Sequence, residues 1–145
     1  VDSAQTFKWG LFDRDPMDQW SQGRVTLLGD AAHPMLPFLS QGAAMAIEDA
    51  YVLAAALAHS AGDIDVALQA YEKERQPRTA RVQLEARERG RTYHLSTPEE
   101  LHQRDLEMQL QQAEIPSVVV INADLVYDYH ATRCAERFEA DVVST

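Results

Sequence analysis

The spacing of apolar positions changes character along the chain, and each change predicts an element. Thr6 to Phe12 alternates loosely and carries Phe7, Trp9 and Phe12, which predicts a strand with its aromatic residues in a core or a pocket wall. Asp13 to Gln22 is polar and contains Pro16, so it reads as a connector, anchored by Trp20. Arg24 is a surface charge at the entrance to the next strand. Val25 to Leu28 is a short apolar run with a β-branched lead, closed by Gly29, and predicts a buried strand. Pro34 and Pro37 then hold Asp30 to Gln41 extended. From Gly42 the chain becomes alanine-rich, with Met45, Ile47, Leu53 and Leu57 at helical spacings. Ala50 to Ala58 contains no charge, which predicts a helix buried on most sides. Glu48 and Asp49 suit the dipole of its early turns, and Ser60-Ala61-Gly62 supplies a stop.

A second helix follows, capped by Asp63 or Asp65 and packing through Val66, Leu68, Ala70 and Tyr71. Pro77 predicts a break or kink just before it, because proline supplies no N–H and crowds the preceding turn. Thr97-Pro98-Glu99-Glu100 is a capping box with proline at the first helical position. The helix it opens runs to about Gln112, with Leu101, Leu106 and Leu110 available to pack. Ser117 to Ile121 is an apolar run that reads as strand or extended coil. Tyr127 and Tyr129 are expected to pack or hydrogen-bond against the body, and the residues from Glu136 are expected to fray.

Composition narrows the classes. A chain of 145 residues with 46% hydrophobic residues suits one domain with a real core, and a net charge of −10 argues against a nucleic-acid surface. Cys134 is the lone cysteine, so no internal disulfide framework exists, which fits a reducing, cytoplasmic setting. No signal peptide or long uncharged apolar span is present, so neither export nor membrane insertion is expected. The basic residues from Lys73 to Arg91 could meet an anionic partner or cofactor phosphate; a solvated face of mixed charge pairs is the preferred reading.

The candidate chemistry lies between Gly23 and Tyr51. A strand, a carboxylate at its end, a constrained loop and a helix N-terminus together make a ligand crevice. Gly29-Asp30-Ala31-Ala32-His33, Pro37, Gln41-Gly42-Ala43-Ala44 and Glu48-Asp49-Ala50 stand there in one ordered string. That string resembles the second flavin-binding motif of the FAD-dependent aromatic-ring hydroxylases, the salicylate and para-hydroxybenzoate hydroxylase group. The resemblance implies an α/β origin. This chain would be the C-terminal portion of an FAD/NAD(P)-binding Rossmann-like hydroxylase fold, predominantly helical with a few short strands. Residues 1–22 would end a substrate-domain strand and its connector, 23–60 would complete the FAD-binding domain, and 61–145 would form a C-terminal helical region.

Carried over by position, the resemblance implies cofactor contacts from Gly29, Asp30, Pro37, Gln41, Gly42, Ala43 and Ala44. Asp30 would accept a hydrogen bond from the ribityl chain of FAD, a charge-assisted bond of roughly 1.5–3 kcal/mol. The amides of Gly42, Ala43 and Ala44 would face the pyrimidine edge of the flavin, and Pro37 would stand beside the flavin at the substrate pocket. Asp30 could instead end a strand and cap a turn. His33 reads as a structural, hydrogen-bonded histidine ahead of an acid–base group, and with Asp30 it supplies too few ligands for a metal. Ser40 reads as the N-cap of the following helix. Asp128 and His130 are not secured as an acid–base pair by their spacing, and no catalytic residue is assigned.

The family's reaction would use NADH or NADPH and O2 to hydroxylate a small aromatic substrate. The fingerprint G-x-G-x-x-G is absent from this sequence. The chain is therefore expected to be a fragment, inactive and weak in FAD binding without an N-terminal FAD-binding portion. Two alternatives stand beside this: another reaction on the same flavin scaffold, or a non-enzymatic helical module that forms a homo-oligomer through its alanine-rich helix.

Overall fold

The computed structural model describes residues 7–114 and 126–143. A short hairpin pairs Ser21–Gln22 (β1) with Val25–Thr26 (β2), Ser21 opposite Thr26 and Gln22 opposite Val25. Single 3-10 turns follow at Gly29–Ala31 and Pro37–Leu39. Among the described residues the longer helices are α1 (Gly42–His59), α2 (Ile64–Tyr93), α3 (Pro98–Glu114) and α4 (Thr132–Val143). The described residues are mostly helical with two short strands, as the family resemblance implied.

The core forms where α1 and α2 lie antiparallel. One apolar cluster joins Val52 and Ala56 of α1 to Ala67 and Tyr71 of α2, with Trp20, Ala32 and Cys134. A second joins Met45 to Val82 and Ala86, with Leu39. Between them along both helices lies a buried polar layer of His33, Asp49, Arg75 and Thr79. Asp49 accepts from Arg75 Nε at 2.7 Å, from His33 Nε2 at 2.6 Å and from the Gly29 amide at 3.0 Å. Burial alone would raise the Asp49 carboxyl, but these donors and the Arg75 charge hold it below its ordinary value of 3.8.

Residues 13–34 use side chains of α2 to satisfy their backbone. Tyr71 Oη donates to Leu27 O at 3.1 Å, Gln76 to Met17 O at 2.6 Å and Gln83 to Pro34 O at 3.0 Å. Glu72 accepts from the Ser21 amide at 2.9 Å. Burial pushes the Tyr71 hydroxyl far up, so it stays protonated and available as a donor.

Several expectations are corrected. Residues 7–12 form no strand, and Trp9 and Phe12 are 83% and 85% exposed, because no described strand lies beside them to pair with. The strand expected over Val25–Leu28 is only two residues long, pairing with one short neighbour among the described residues, and Val25 is exposed while Leu27 packs against the core. The Asp30–Gln41 connection is not continuously extended, since both 3-10 turns fall in or at the edge of it, Pro37 starting the second. Residues 50–58 of α1 are buried along one stripe, at Val52 and Ala56, rather than on most sides, with Tyr51 and Leu57 43% and 41% exposed. Ser40 is not the N-cap of α1; Gln41 holds that position, while Ser40 ends the Pro37 turn at φ +55°.

α2 runs unbroken through Pro77. Proline leaves the Lys73 carbonyl without its usual donor, yet the neighbours Arg75 and Thr79 are fully buried and fix the helix on both sides. Asp63, not Asp65, caps α2 by accepting from the Val66 amide at 3.1 Å. Ala67 occupies the buried position expected of Val66, which is exposed.

The capping box at Thr97 and Glu100 forms as read, with Glu100 N donating to Thr97 Oγ1 at 3.3 Å. Leu106 and Leu110 on α3 nevertheless stay exposed. The apolar run 117–121 lies outside the described residues. Tyr129 packs and hydrogen-bonds, whereas Tyr127 is exposed. Helix continues from Thr132 to Val143 instead of fraying after Glu136, docked on α1. The basic run of α2 is mostly paired: Arg78 with Glu48, Arg87 with Asp13 and Asp15, Arg89 with Glu85, and Arg91 with Glu88. No described helix is long and apolar enough to cross a membrane.

Two outcomes follow from this packing. Asp49→Asn removes one of the two carboxylates paired with the buried Arg75 guanidinium, the other being Glu48, and should cost about 3–5 kcal/mol in urea unfolding. Because the Asp49 pKa is depressed in the fold, its contribution is full above the ordinary carboxylate range and fades as pH falls through the folded value. The gap between the wild-type chain and Asp49→Asn should therefore narrow below about pH 4. Pro77→Ala restores a donor for the Lys73 carbonyl at an exposed position, and should raise stability by about 1–3 kcal/mol in the same assay.

Candidate functional site

The turn that leaves β2 is built around Gly29. Its φ of +60° favours glycine, and a Cβ there would come within 3.2 Å of Ala46 Cβ, so the turn and α1 approach each other only because this position is bare. The amides of Ala32 and His33 both donate to Gly29 O at 2.9 Å, closing a tight loop that leaves Asp30 at its exposed edge. Arg14 donates to the carbonyls of Ala31 and Ala32 from outside.

Opposite this turn, α1 begins at Gly42 with no side-chain cap on its first-turn amides. The space between the turn, the Pro37 loop and the start of α1 is an open cleft of about 620 Å3. Its walls include Gly29, Asp30, Pro37, Ser40, Gly42 and Ala43. A side-chain carbon at Gly42 would sit 3.8 Å from Asp30 Oδ1, so the carboxylate faces the helix start across the cleft. Ser40 holds the left-handed conformation at the rim, a strain of roughly 1–2 kcal/mol for a residue with a Cβ. The cleft thus offers one carboxylate acceptor, a helix N-terminus with uncapped donors, and a largely apolar wall.

Five of the seven residues named from sequence therefore border this cleft: Gly29, Asp30, Pro37, Gly42 and Ala43. Gln41 and Ala44 do not. The Gln41 side chain turns back to donate to Leu39 O at 3.2 Å, and Ala44 packs against the cluster around Met45. His33 is fully buried and bonded to Asp49, the structural histidine of the sequence reading. Among the described residues no group of three or more His, Cys, Asp or Glu is placed to hold a metal ion. Asp128 and His130 are both exposed.

The sequence reading missed the support behind the turn. By residue type Asp49 suits a helix dipole and Arg75 a solvated face, yet Asp49 and Arg75 themselves are fully buried. A signal was present: Asp49 stands four residues after Met45 and three before Val52, on the apolar stripe of α1. Arg75 lies four residues after Tyr71 on the buried stripe of α2.

Comparisons with known proteins identify the family. A family model described as an FAD binding domain matches residues 1–86. A 3-hydroxybenzoate 6-hydroxylase of Polaromonas naphthalenivorans is 48% identical over 107 residues, which are 73% of this chain and 27% of that protein. A 3-amino-4-hydroxybenzoate 2-monooxygenase of Streptomyces platensis is 51% identical over 106 residues, again 73% of this chain and 27% of that protein. Among solved structures, a salicylate hydroxylase substrate complex matches with a TM-score of 0.70 and 35% identity, covering 90% of this chain and 30% of that one. The chain accordingly spans less than a third of the length of these relatives. On the motif, the fold and these matches together, the chain belongs to the FAD-dependent aromatic-ring hydroxylase family, with its FAD-binding-domain match over residues 1–86.

Proposed function

We propose that this chain is the C-terminal part of a cytoplasmic FAD-dependent monooxygenase that hydroxylates a hydroxybenzoate-like ring, with NADH or NADPH as reductant and O2 as oxygen source. The observation that carries the reading is the shared cleft: the Asp30 carboxylate and the uncapped start of α1 face each other across it, with Pro37 in the wall. These residues suit FAD. A carboxylate accepts from ribityl hydroxyls, bare amides at a helix N-terminus meet an electron-rich ring edge, and an apolar wall receives a flat heterocycle.

FAD, when bound, would supply the redox chemistry by which NAD(P)H and O2 hydroxylate the ring, the second oxygen atom leaving as water. The chain's own residues bind and orient. Asp30 would hold the polyol chain, and the amides of Gly42 and Ala43 would stabilise negative charge on the ring. Met35, Leu36 and Pro37 present a wall that excludes water from one side. Gln41 and Ala44 act on the cofactor only through the backbone of the loop and first turn they help to shape.

A second reading is favoured by one observation. Ile47, Tyr51 and Leu57 leave apolar area exposed on the outer side of α1. The 145-residue chain on its own would associate through that face and bind FAD weakly.

Asp30→Ala in the intact flavoprotein should weaken FAD binding about 10- to 150-fold, read by titrating the apoprotein with FAD and following flavin fluorescence. An unchanged dissociation constant would remove Asp30 from the site. For the isolated chain, sedimentation should show a colourless, self-associating species; a yellow monomer carrying one FAD per chain would contradict the second reading.

A further inference from the structure

We infer that Asp49, held by Arg75, is the positioning residue of the cleft: it grips both ends of the Gly29–His33 turn and so fixes the direction in which Asp30 points. The inference rests on the reading above that Asp30 binds the cofactor. It adds a second carboxylate that never touches the ligand.

The geometry is specific. A single oxygen, Asp49 Oδ2, accepts from the Gly29 amide at 3.0 Å and from His33 Nε2 at 2.6 Å. These donors are the first and last residues of the turn, and Asp30 is the second. An ionised carboxylate only accepts, so Nε2 carries the proton of the His33 bond. The other oxygen, Oδ1, is held by Arg75 Nε at 2.7 Å, which stops the carboxylate rotating away. Asp49 and Arg75 are both fully buried, so water is not there to substitute for either partner.

Arg75 is fixed in turn. Its Nη2 donates to Met45 O at 3.4 Å, and its Nη1 lies 2.7 Å from Glu48 Oε2. Arg78 holds the same Glu48 with two bonds of 2.8 and 2.9 Å. The Tyr129 ring covers both guanidinium groups, at 5.0 Å from Arg75 and 4.2 Å from Arg78. A chain of rigid contacts thus runs from the C-terminal segment through α2 and α1 to the turn that carries Asp30.

The test is a double-mutant cycle in the intact flavoprotein: Asp30→Ala, Asp49→Asn and the pair, each read by FAD dissociation constant and by melting temperature. If Asp49 acts through Asp30, Asp49→Asn should weaken FAD binding about tenfold alone and less than about twofold in the Asp30→Ala background. Effects that simply multiply would overturn the inference, leaving Asp49 a purely structural residue, whatever the loss in melting temperature. An Asp30→Ala protein with unchanged FAD affinity would overturn the reading beneath it, and this inference with it. If Asp49→Asn fails to fold, His33 carries the same test. His33→Gln keeps a donor toward Asp49 and should bind FAD within about threefold of wild type, whereas His33→Ala should lose about tenfold. Equal affinities for those two variants would overturn the inference.

Discussion

The carboxylate of Asp49 is the fixed point of this structure. It lies in the protein interior between two apolar clusters and survives there as an ion because Arg75, His33 and the Gly29 amide all donate to it. Buried ion pairs are weak evidence for stability as such, since the desolvation of both groups offsets most of their attraction. Their value here is geometric. Any displacement of α1 against α2, or of the turn against α1, would strand a charge where water cannot reach it. The polar layer therefore sets the register of two helices that alanine and valine alone would pack in more than one way.

The same logic explains how residues 13–34 stay ordered with only a hairpin of two-residue strands and one 3-10 turn among them. Buried or half-buried backbone groups need partners, and a strand without a sheet supplies few. α2 provides them from its side chains: Tyr71, Glu72 and Gln76 each take one backbone group of that segment, and Gln83 takes two, the carbonyls of Arg14 and Pro34. A long helix with a low share of apolar residues looks solvated on paper, yet its polar side chains form a continuous docking edge. The loops of the cleft rest on that edge, and Phe38 from the Pro37 turn fits against Gly90 because no side chain occupies that position.

Much of this was legible in the sequence, at the level of residue types whose local chemistry has few alternatives. The Thr97 cap, the glycine stop of α1 and the cleft-lining positions Gly29, Asp30, Pro37, Gly42 and Ala43 depend on short-range geometry, and the pattern marks each of them. What was not legible depends on partners far along the chain. Trp9 and Phe12 look like strand residues until the question arises of what they pair with. Pro77 looks like a helix breaker until Arg75 and Thr79 are seen to be anchored on both sides of it. Asp49 and Arg75 look like surface charges because a charge is usually outside; only the stripe on which each lies argued otherwise, and the contact between them spans 26 residues. Gln41 and Ala44 belong to the motif but not to the wall of the cleft, because a helical start sends successive side chains in different directions.

The most direct measurement of the central claim is amide hydrogen exchange at Gly29 in the folded protein. A donor locked to a buried, ionised carboxylate opens only when the α1–α2 layer opens. Its exchange should be as slow as that of the most protected amides of α2, in the regime of global unfolding. Exchange at the rate of an open loop, with α2 still protected, would contradict the account.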